Sequence, residues 1–255
     1  MIALSVNLNK VATLRNARGG SEPSVRTAAA VSLDAGAPGV TVHPRADERH
    51  IRRRDVIEIA ELLATRRSAG HPHAEYNIEG DPRPDLMDLV VEVKPDQCTL
   101  VPVMPGEITS QAGWPAGTAP GVLGGAIDRL RASGVRVSLF VEPDPKAIRW
   151  AADLSADRVE LYTEPFARIY ARSPKEGQTA FVRYVEAARL AHDLGLGVNA
   201  GHDLDLENLT LFRTLPYLDE VSIGHALMTH ALWVGLAQSV KDYLRVLSAT
   251  QETGS

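Results

Sequence analysis

Eight times along this chain a short run of β-type residues gives way to a stretch with helical periodicity, and that alternation restricts the fold more than any other feature. Strands are expected at residues 3–8, 39–43, 75–78, 97–101, 135–141, 158–162, 197–200 and 220–223. Amphipathic helices are expected at 24–35, 54–66, 84–93, 122–132, 145–154, 180–194, 206–215 and 228–248. Consecutive βα units call for parallel strands joined by right-handed crossovers. Eight of them in 255 residues fit a closed (β/α)8 TIM barrel of the α/β class better than an open doubly wound sheet. Gly36, Gly134 and Gly195 follow helical runs as C-terminal caps do, and Asp55, Asp144, Pro84 and Pro145 sit where helices begin. The expected organisation is one barrel domain over residues 1–250 and a frayed polar tail at 251–255.

Composition narrows the function classes. Hydrophobic residues make up 44% and charged residues 23%, a globular balance that excludes wholesale disorder. A net charge of −5 argues against a nucleic-acid binder working through bulk charge. Five of the 27 basic residues are Lys, so Arg dominates; it is the better fork for phosphate, although surface Arg is read here as plain composition. Cys98 is the one cysteine, which rules out an internal disulfide and a Cys-rich zinc site. No apolar run approaches the roughly 18 residues of a membrane span, and the opening residues are too short a run for a signal-peptide core. The expected location is cytoplasmic, with no membrane partner.

Position is more informative than composition. The first strand ends in Asn7 and Asn9, followed by Lys10. The second ends in His43, with Arg45 and His50 beyond it; the third ends in Glu79, and the sixth carries Glu160. The seventh ends at Gly201-His202 and the eighth at Gly224-His225. A structural core would place Val, Leu or Ile there, whereas polar groups converging from many strand ends are how a barrel active site reads in sequence. A lone His after a strand is usually a loop residue, but several in one register outweigh that reading. His71, His73, His192 and His230 fall elsewhere and read as structural or solvated. No HxH, HxxxH or HExxH spacing joins the site candidates, so no metal is expected.

Phosphate has better support. The loops after the seventh and eighth strands carry Gly201 and Gly224, where backbone N–H groups can approach an anion. After the first strand, residues 13–20 place Arg15 and Arg18 beside a Gly pair, suited to a second anion or a lid. Residues 102–120 and 164–178 exceed ordinary connections on the loop-bearing face; the first reads as a lid, the second as a lid or a surface insertion.

The blocks SVNLNKVATLRNARGG, GVTVHPRADERHIRRRDV, NIEG, VKPDQCTLVP, RVSLFVEPD, RVELYTEP, VNAGHDL and VSIGHAL, in that order, resemble the pyridoxine 5′-phosphate synthase family over nearly the whole chain. The resemblance implies a transferase-class TIM barrel that condenses 1-deoxy-D-xylulose 5-phosphate with 3-amino-2-oxopropyl phosphate, with no metal or organic cofactor. It also implies a homo-octamer built as a tetramer of dimers. By position it makes His43 a general base, Glu79 a second acid/base, His202 a proton donor and Glu160 a stabiliser of charged intermediates. Asn7, Arg18, Asp203, Gly224 and His225 would hold the amine substrate, and Asn9, Lys10, Arg45, His50 and Thr109 the sugar phosphate. The better-known bacterial form reads Asp-His where this chain has Asn9-Lys10, Gly where it has Asp203, and His-Thr-Gly where it has Tyr162-Thr163-Glu164. All four acid/base positions are kept, so these read as subfamily variants. Two other readings are a different phosphate-binding barrel, such as a sugar-phosphate isomerase or an aldolase using Lys10 as a Schiff base, and a non-catalytic pyridoxine-phosphate binder; the last would be expected to lose the acid/base residues first.

Overall fold

The computed structural model describes residues 1–102 and 112–249. Eight parallel strands, β1 (Ala3–Asn7), β2 (Gly39–Val42), β3 (Glu75–Gly80), β4 (Gln97–Leu100), β5 (Arg136–Val141), β6 (Arg158–Tyr162), β7 (Gly197–Gly201) and β8 (Leu218–Ile223), close in sequence order into a barrel. Around it run α1 (Asn9–Asn16), α2 (Val25–Asp34), α3 (Arg53–Ser68), α4 (Pro84–Val93), α5 (Pro120–Ala132), α6 (Pro145–Asp153), α7 (Glu164–Arg172), α8 (Pro174–Asp193), α9 (Leu209–Phe212), α10 (His225–Val234) and α11 (Leu236–Ser248).

Strand parity decides where the apolar core lies. Leu4, Val6, Val40, Val42, Ile78, Leu100, Val137, Leu139, Val159, Leu161, Val198, Val221 and Ile223 face outward and pack under the helices. The intervening residues point inward, and most are polar. Ser5 hydrogen-bonds Thr41 (2.6 Å), Thr41 accepts from Asn77 (3.3 Å), and Thr99 donates to Asn77 (3.1 Å). Below them Asn199 reaches Gln97, and Arg158 reaches Asn199 at 3.0 Å. Apart from the half-buried Arg158 these side chains are buried, so each needs the partner it has. Near the loop-bearing end, Val101, Phe140 and Tyr162 form a separate small apolar cluster.

Three expectations need correction. Residues 164–178 are not a loop but α7 and the start of α8. Pro165 and Pro174 occupy first helical turns, where no N–H is missed, and Gly177 lets the two helices meet: a Cβ there would lie 2.6 Å from the Tyr170 ring. The long last helix is two, α10 and α11, split at Gly235 with φ +85. Of residues 13–20, expected as an anion-binding loop, 13–16 belong to α1; Arg15 there is buried in an ion pair with Asp55 (2.5 and 2.9 Å) and is not available to an anion. Asp144 caps α6 by accepting from the Lys146 N–H, and Asp55 in the first turn of α3 accepts from the Arg52 N–H at 2.8 Å.

Candidate active site

At the C-terminal ends of the strands lies a cavity of about 290 Å3. Asn7, Asn9, Lys10, His43, Arg45, His50, Glu79, Glu160, His202, Asp203, Gly224 and His225 line it, together with Val101 and Ser222. Twelve candidates spread over six strand ends thus share one rim. Arg18 is exposed in the turn after α1 and does not line the cavity, and Thr109 falls outside the described residues. His73 pairs with Asp96, His230 with Asp242, and His192 stacks on Tyr217, each away from the cavity.

Of the four candidate acid/base groups, His43, Glu79 and Glu160 are buried and His202 is half-buried. His43 Nδ1 lies 3.8 Å from a Glu79 carboxylate oxygen, and the His43 N–H donates to Asn9 Oδ1 at 2.8 Å. Asn7 and Ser222 both donate toward Glu79, at 3.4–3.5 Å. Among the described residues His43 Nε2 and His202 Nδ1 are buried without a hydrogen-bond partner. Burial lowers His43 well below the usual imidazole range, reinforced by His50 and Arg45. Burial also takes His202 down to about 4, and His50 to about 4 with help from Arg45 and Lys10. It raises Glu79 to about 7, and raises Glu160 well above the usual carboxylate range with help from Glu79 and Glu220. Neutral imidazoles thus face neutral or near-neutral carboxyls. The Ile51 N–H donates to His50 Nδ1 (2.9 Å), so the neutral ring carries its proton on Nε2 and can donate it.

Two helix N-termini open at this rim. No side chain caps α10, which begins at His225 after Gly224; at the start of α1, Asn7 Oδ1 accepts the Asn9 N–H (3.1 Å) and the Leu8 carbonyl accepts the Val11 N–H (3.1 Å). The uncapped first turn of α10 makes an anion cradle, and the dipole of α1 favours negative charge beside Asn9 and Lys10. At Gly224 a Cβ would crowd Asn7 at 3.1 Å, and at Gly201 it would lie 2.4 Å from Glu160 Oε1. Residues 202 and 203 both take left-handed backbone, φ +81 and +58, a cost of about 1–3 kcal/mol each for side chains other than Gly.

Residues 4–249 match the family described as pyridoxal phosphate biosynthesis protein PdxJ. The chain belongs to that family. Relatives named pyridoxine 5′-phosphate synthase include one from Leptospira biflexa, 51% identical over 259 residues and spanning 99% of this chain and 100% of the relative. Another, from Bacteroides thetaiotaomicron, is 50% identical over 248 residues, spanning 97% and 100%. Solved structures share the barrel alone: 3-hexulose-6-phosphate synthase of Salmonella typhimurium (TM-score 0.60, 14% identity, 96% of this chain and 98% of that one) and phosphoribosylanthranilate isomerase of Thermotoga maritima (TM-score 0.56, 11% identity, 97% and 98%).

Within this PdxJ barrel, Ser222 and Val101 are lining residues that the sequence reading passed over. Ser222 was detectable: it precedes Gly224 by two, the inward parity of β8. Arg15 was also misjudged. Besides Asp55 it donates to the His50 carbonyl (3.0 Å), and Asn16 donates to the same carbonyl (2.9 Å), tying α1 to the loop that carries Arg45 and His50. Among the described residues no three His, Cys, Asp or Glu side chains gather as a metal-ligand set.

Proposed function

We propose that the chain condenses 1-deoxy-D-xylulose 5-phosphate with 3-amino-2-oxopropyl phosphate to give pyridoxine 5′-phosphate, phosphate and water. The observation that carries this reading is the gathering of two imidazoles and two carboxyls of perturbed pKa between the N-termini of α1 and α10. Two helix N-termini suit two phosphorylated substrates, and Lys10 and Arg45 line the cavity beside them. The amine substrate fits the α10 cradle with Asn7, Asp203, Gly224 and His225; the sugar phosphate fits Asn9, Lys10, Arg45 and His50. Arg18 and Thr109 complete these sets in the family pattern.

Every step of the condensation moves protons, and general acid–base groups contribute roughly 10²–10⁴-fold each. His43, neutral and with Nε2 open, removes a proton from the sugar phosphate. Glu79, close to neutrality, accepts and returns protons. His202 serves the leaving phosphate and water. Glu160, held uncharged by burial, donates to oxyanions that develop above it. Because the substrate supplies its own amine, no enzyme lysine is required for an imine, which separates this reading from an aldolase. Fixing both substrates by their anionic ends supplies orientation, a large part of the rate.

The phosphorylated substrates do not cross membranes, which supports a cytoplasmic site of action; among the described residues no helix is long and apolar enough to cross a bilayer. Leu14, Leu232, Trp233 and Val234 are exposed on neighbouring α1 and α10, in keeping with self-association, for which we propose an octamer built as a tetramer of dimers. The test of function is incubation with both substrates, following pyridoxine phosphate absorbance and phosphate release. Both signals should require both substrates; phosphate release without the chromophore overturns the reading, as does borohydride trapping of a substrate on Lys10.

A further inference from the structure

We propose that Thr163 is a positioning residue for His202: its buried hydroxyl braces the carbonyls of Gly201 and His202 and so holds the left-handed turn that aims the imidazole into the cavity. This rests on the reaction proposed above.

Thr163 follows β6 at the N-cap position of α7 and is fully buried. A threonine there ordinarily accepts from the first N–H groups of its own helix. Here it makes no side-chain cap. Its hydroxyl turns instead across the β6–β7 junction, within hydrogen-bonding reach of both the Gly201 and His202 carbonyls, while its own N–H donates to Gly201 O at 3.0 Å. One hydroxyl proton is shared between two acceptors, which fixes the peptide planes on either side of His202.

That brace matters because, among the described residues, no side chain is hydrogen-bonded to His202 Nδ1. Phe140 and Tyr162 pack against the imidazole with centroids 4.8 and 5.5 Å away, and its Nδ1 has no partner among the described residues. Ring contacts limit where the imidazole sits but not which edge it presents. The edge is set by the backbone, and the backbone at 202 and 203 is in a region that non-glycine residues rarely occupy. On the far side buried Asn208 donates to Asp203 O at 3.1 Å and is itself held by Asp205. The strained pair is thus clamped at both ends, and Thr163 is the clamp nearer the imidazole.

The test compares Thr163→Val, which keeps shape and loses the hydroxyl, with Thr163→Ser, which keeps it. For Val we expect kcat to fall about 10–100-fold with both KM values within about twofold, the mark of a misaimed group rather than lost binding. Ser should recover most of that loss. In a His202→Asn background Val should cost nothing further, since the two changes remove the same thing. A Val variant within about twofold of wild type in kcat, or the same fold-loss recurring without His202, overturns the proposal. Thermal unfolding accompanies each variant, and Thr163→Ala replaces Val if Val does not fold. A wild type that forms no pyridoxine phosphate rejects the reaction, not the brace. In that event the His202 ring 15N resonances decide: displaced in Val and restored in Ser supports the brace, unchanged in Val overturns it.

Discussion

Adding one methyl to Gly201 tests the placement of Glu160. The Cβ of a Gly201→Ala chain would lie 2.4 Å from Glu160 Oε1 and 3.4 Å from the Ser222 carbonyl. The backbone oxygen is an ordinary contact; the carboxyl oxygen is an overlap. Carbon and oxygen settle near about 3.4 Å, so the carboxyl must retreat by roughly 1 Å. It has little room, being buried with Glu79 and Glu220 close enough to shift it and with Thr99 hydrogen-bonded to it. A displacement of about 1 Å in a reacting group costs about 10²-fold, or about 2.7 kcal/mol of transition-state stabilisation. Overpacking adds a stability cost of about 1–3 kcal/mol, which leaves a protein of this size folded. The assay is steady-state kinetics with both substrates varied, alongside circular dichroism and thermal melting. We expect kcat down about 10²-fold with KM little changed. A folded Gly201→Ala variant with kcat within about threefold of wild type would refute the reasoning, because Glu160 would then tolerate a displacement its role forbids.

His43→Asn and Glu79→Gln should each abolish turnover with the far-UV spectrum and melting cooperativity intact; near-wild-type activity in either contradicts the assignment. Arg18→Ala should raise KM for the amine substrate with kcat little changed, and an unchanged KM counts against Arg18 as a phosphate contact. Stability should respond to pH through the buried groups. His202 and His50, lowered to about 4, bind fewer protons folded than unfolded between pH 4 and 6.5, so stability rises with pH there. Glu79, raised to about 7, and Glu220, raised to about 8 by burial and Glu75, bind more protons folded than unfolded above about pH 4.5, so stability falls as pH rises toward 8. Below pH 6.5 the two sets oppose; above it the carboxyl contribution stands alone. Melting temperature should therefore drop from pH 6.5 to 8, each carboxyl contributing at most about 1.4 kcal/mol per pH unit, and Glu220→Gln should flatten the slope. A Glu220→Gln profile as steep as wild type refutes that source.

The barrel was legible because each βα unit carries its own punctuation, and a parallel sheet leaves few ways to join eight of them. Helices were missed where their local signal is weak or contrary. Helix α1 buries only Val11, Ala12 and an Arg, so it shows no apolar stripe, and α7 is bracketed by prolines that read as breaks until each is seen in a first turn. The site was legible as a register of polar strand ends, but the Arg15–Asp55 pair was not, since its members are 40 residues apart and neither sits on a strand. The larger oversight has a physical lesson. Parallel barrel strands usually read as continuous apolar runs, because both faces are buried. Here they alternate: Leu4-Ser5-Val6-Asn7, Val40-Thr41-Val42-His43, Tyr76-Asn77-Ile78-Glu79, Val159-Glu160 and Val221-Ser222 put polar groups on one parity throughout. The polar parity is not confined to the rim; it continues inward through Ser5, Thr41, Asn77, Thr99 and Asn199 as a hydrogen-bonded interior. Apolar burial is therefore concentrated between the sheet and its helices, and the lumen is left to polar groups, hydrogen-bonded to one another apart from the Ser138 hydroxyl, which has no partner among the described residues. Glu79 and Glu160 are the upper end of that lumen, where burial raises each carboxyl toward or above neutrality and the donors beside them, Asn7 and Ser222 at Glu79 and Thr99 at Glu160, offset only part of that rise.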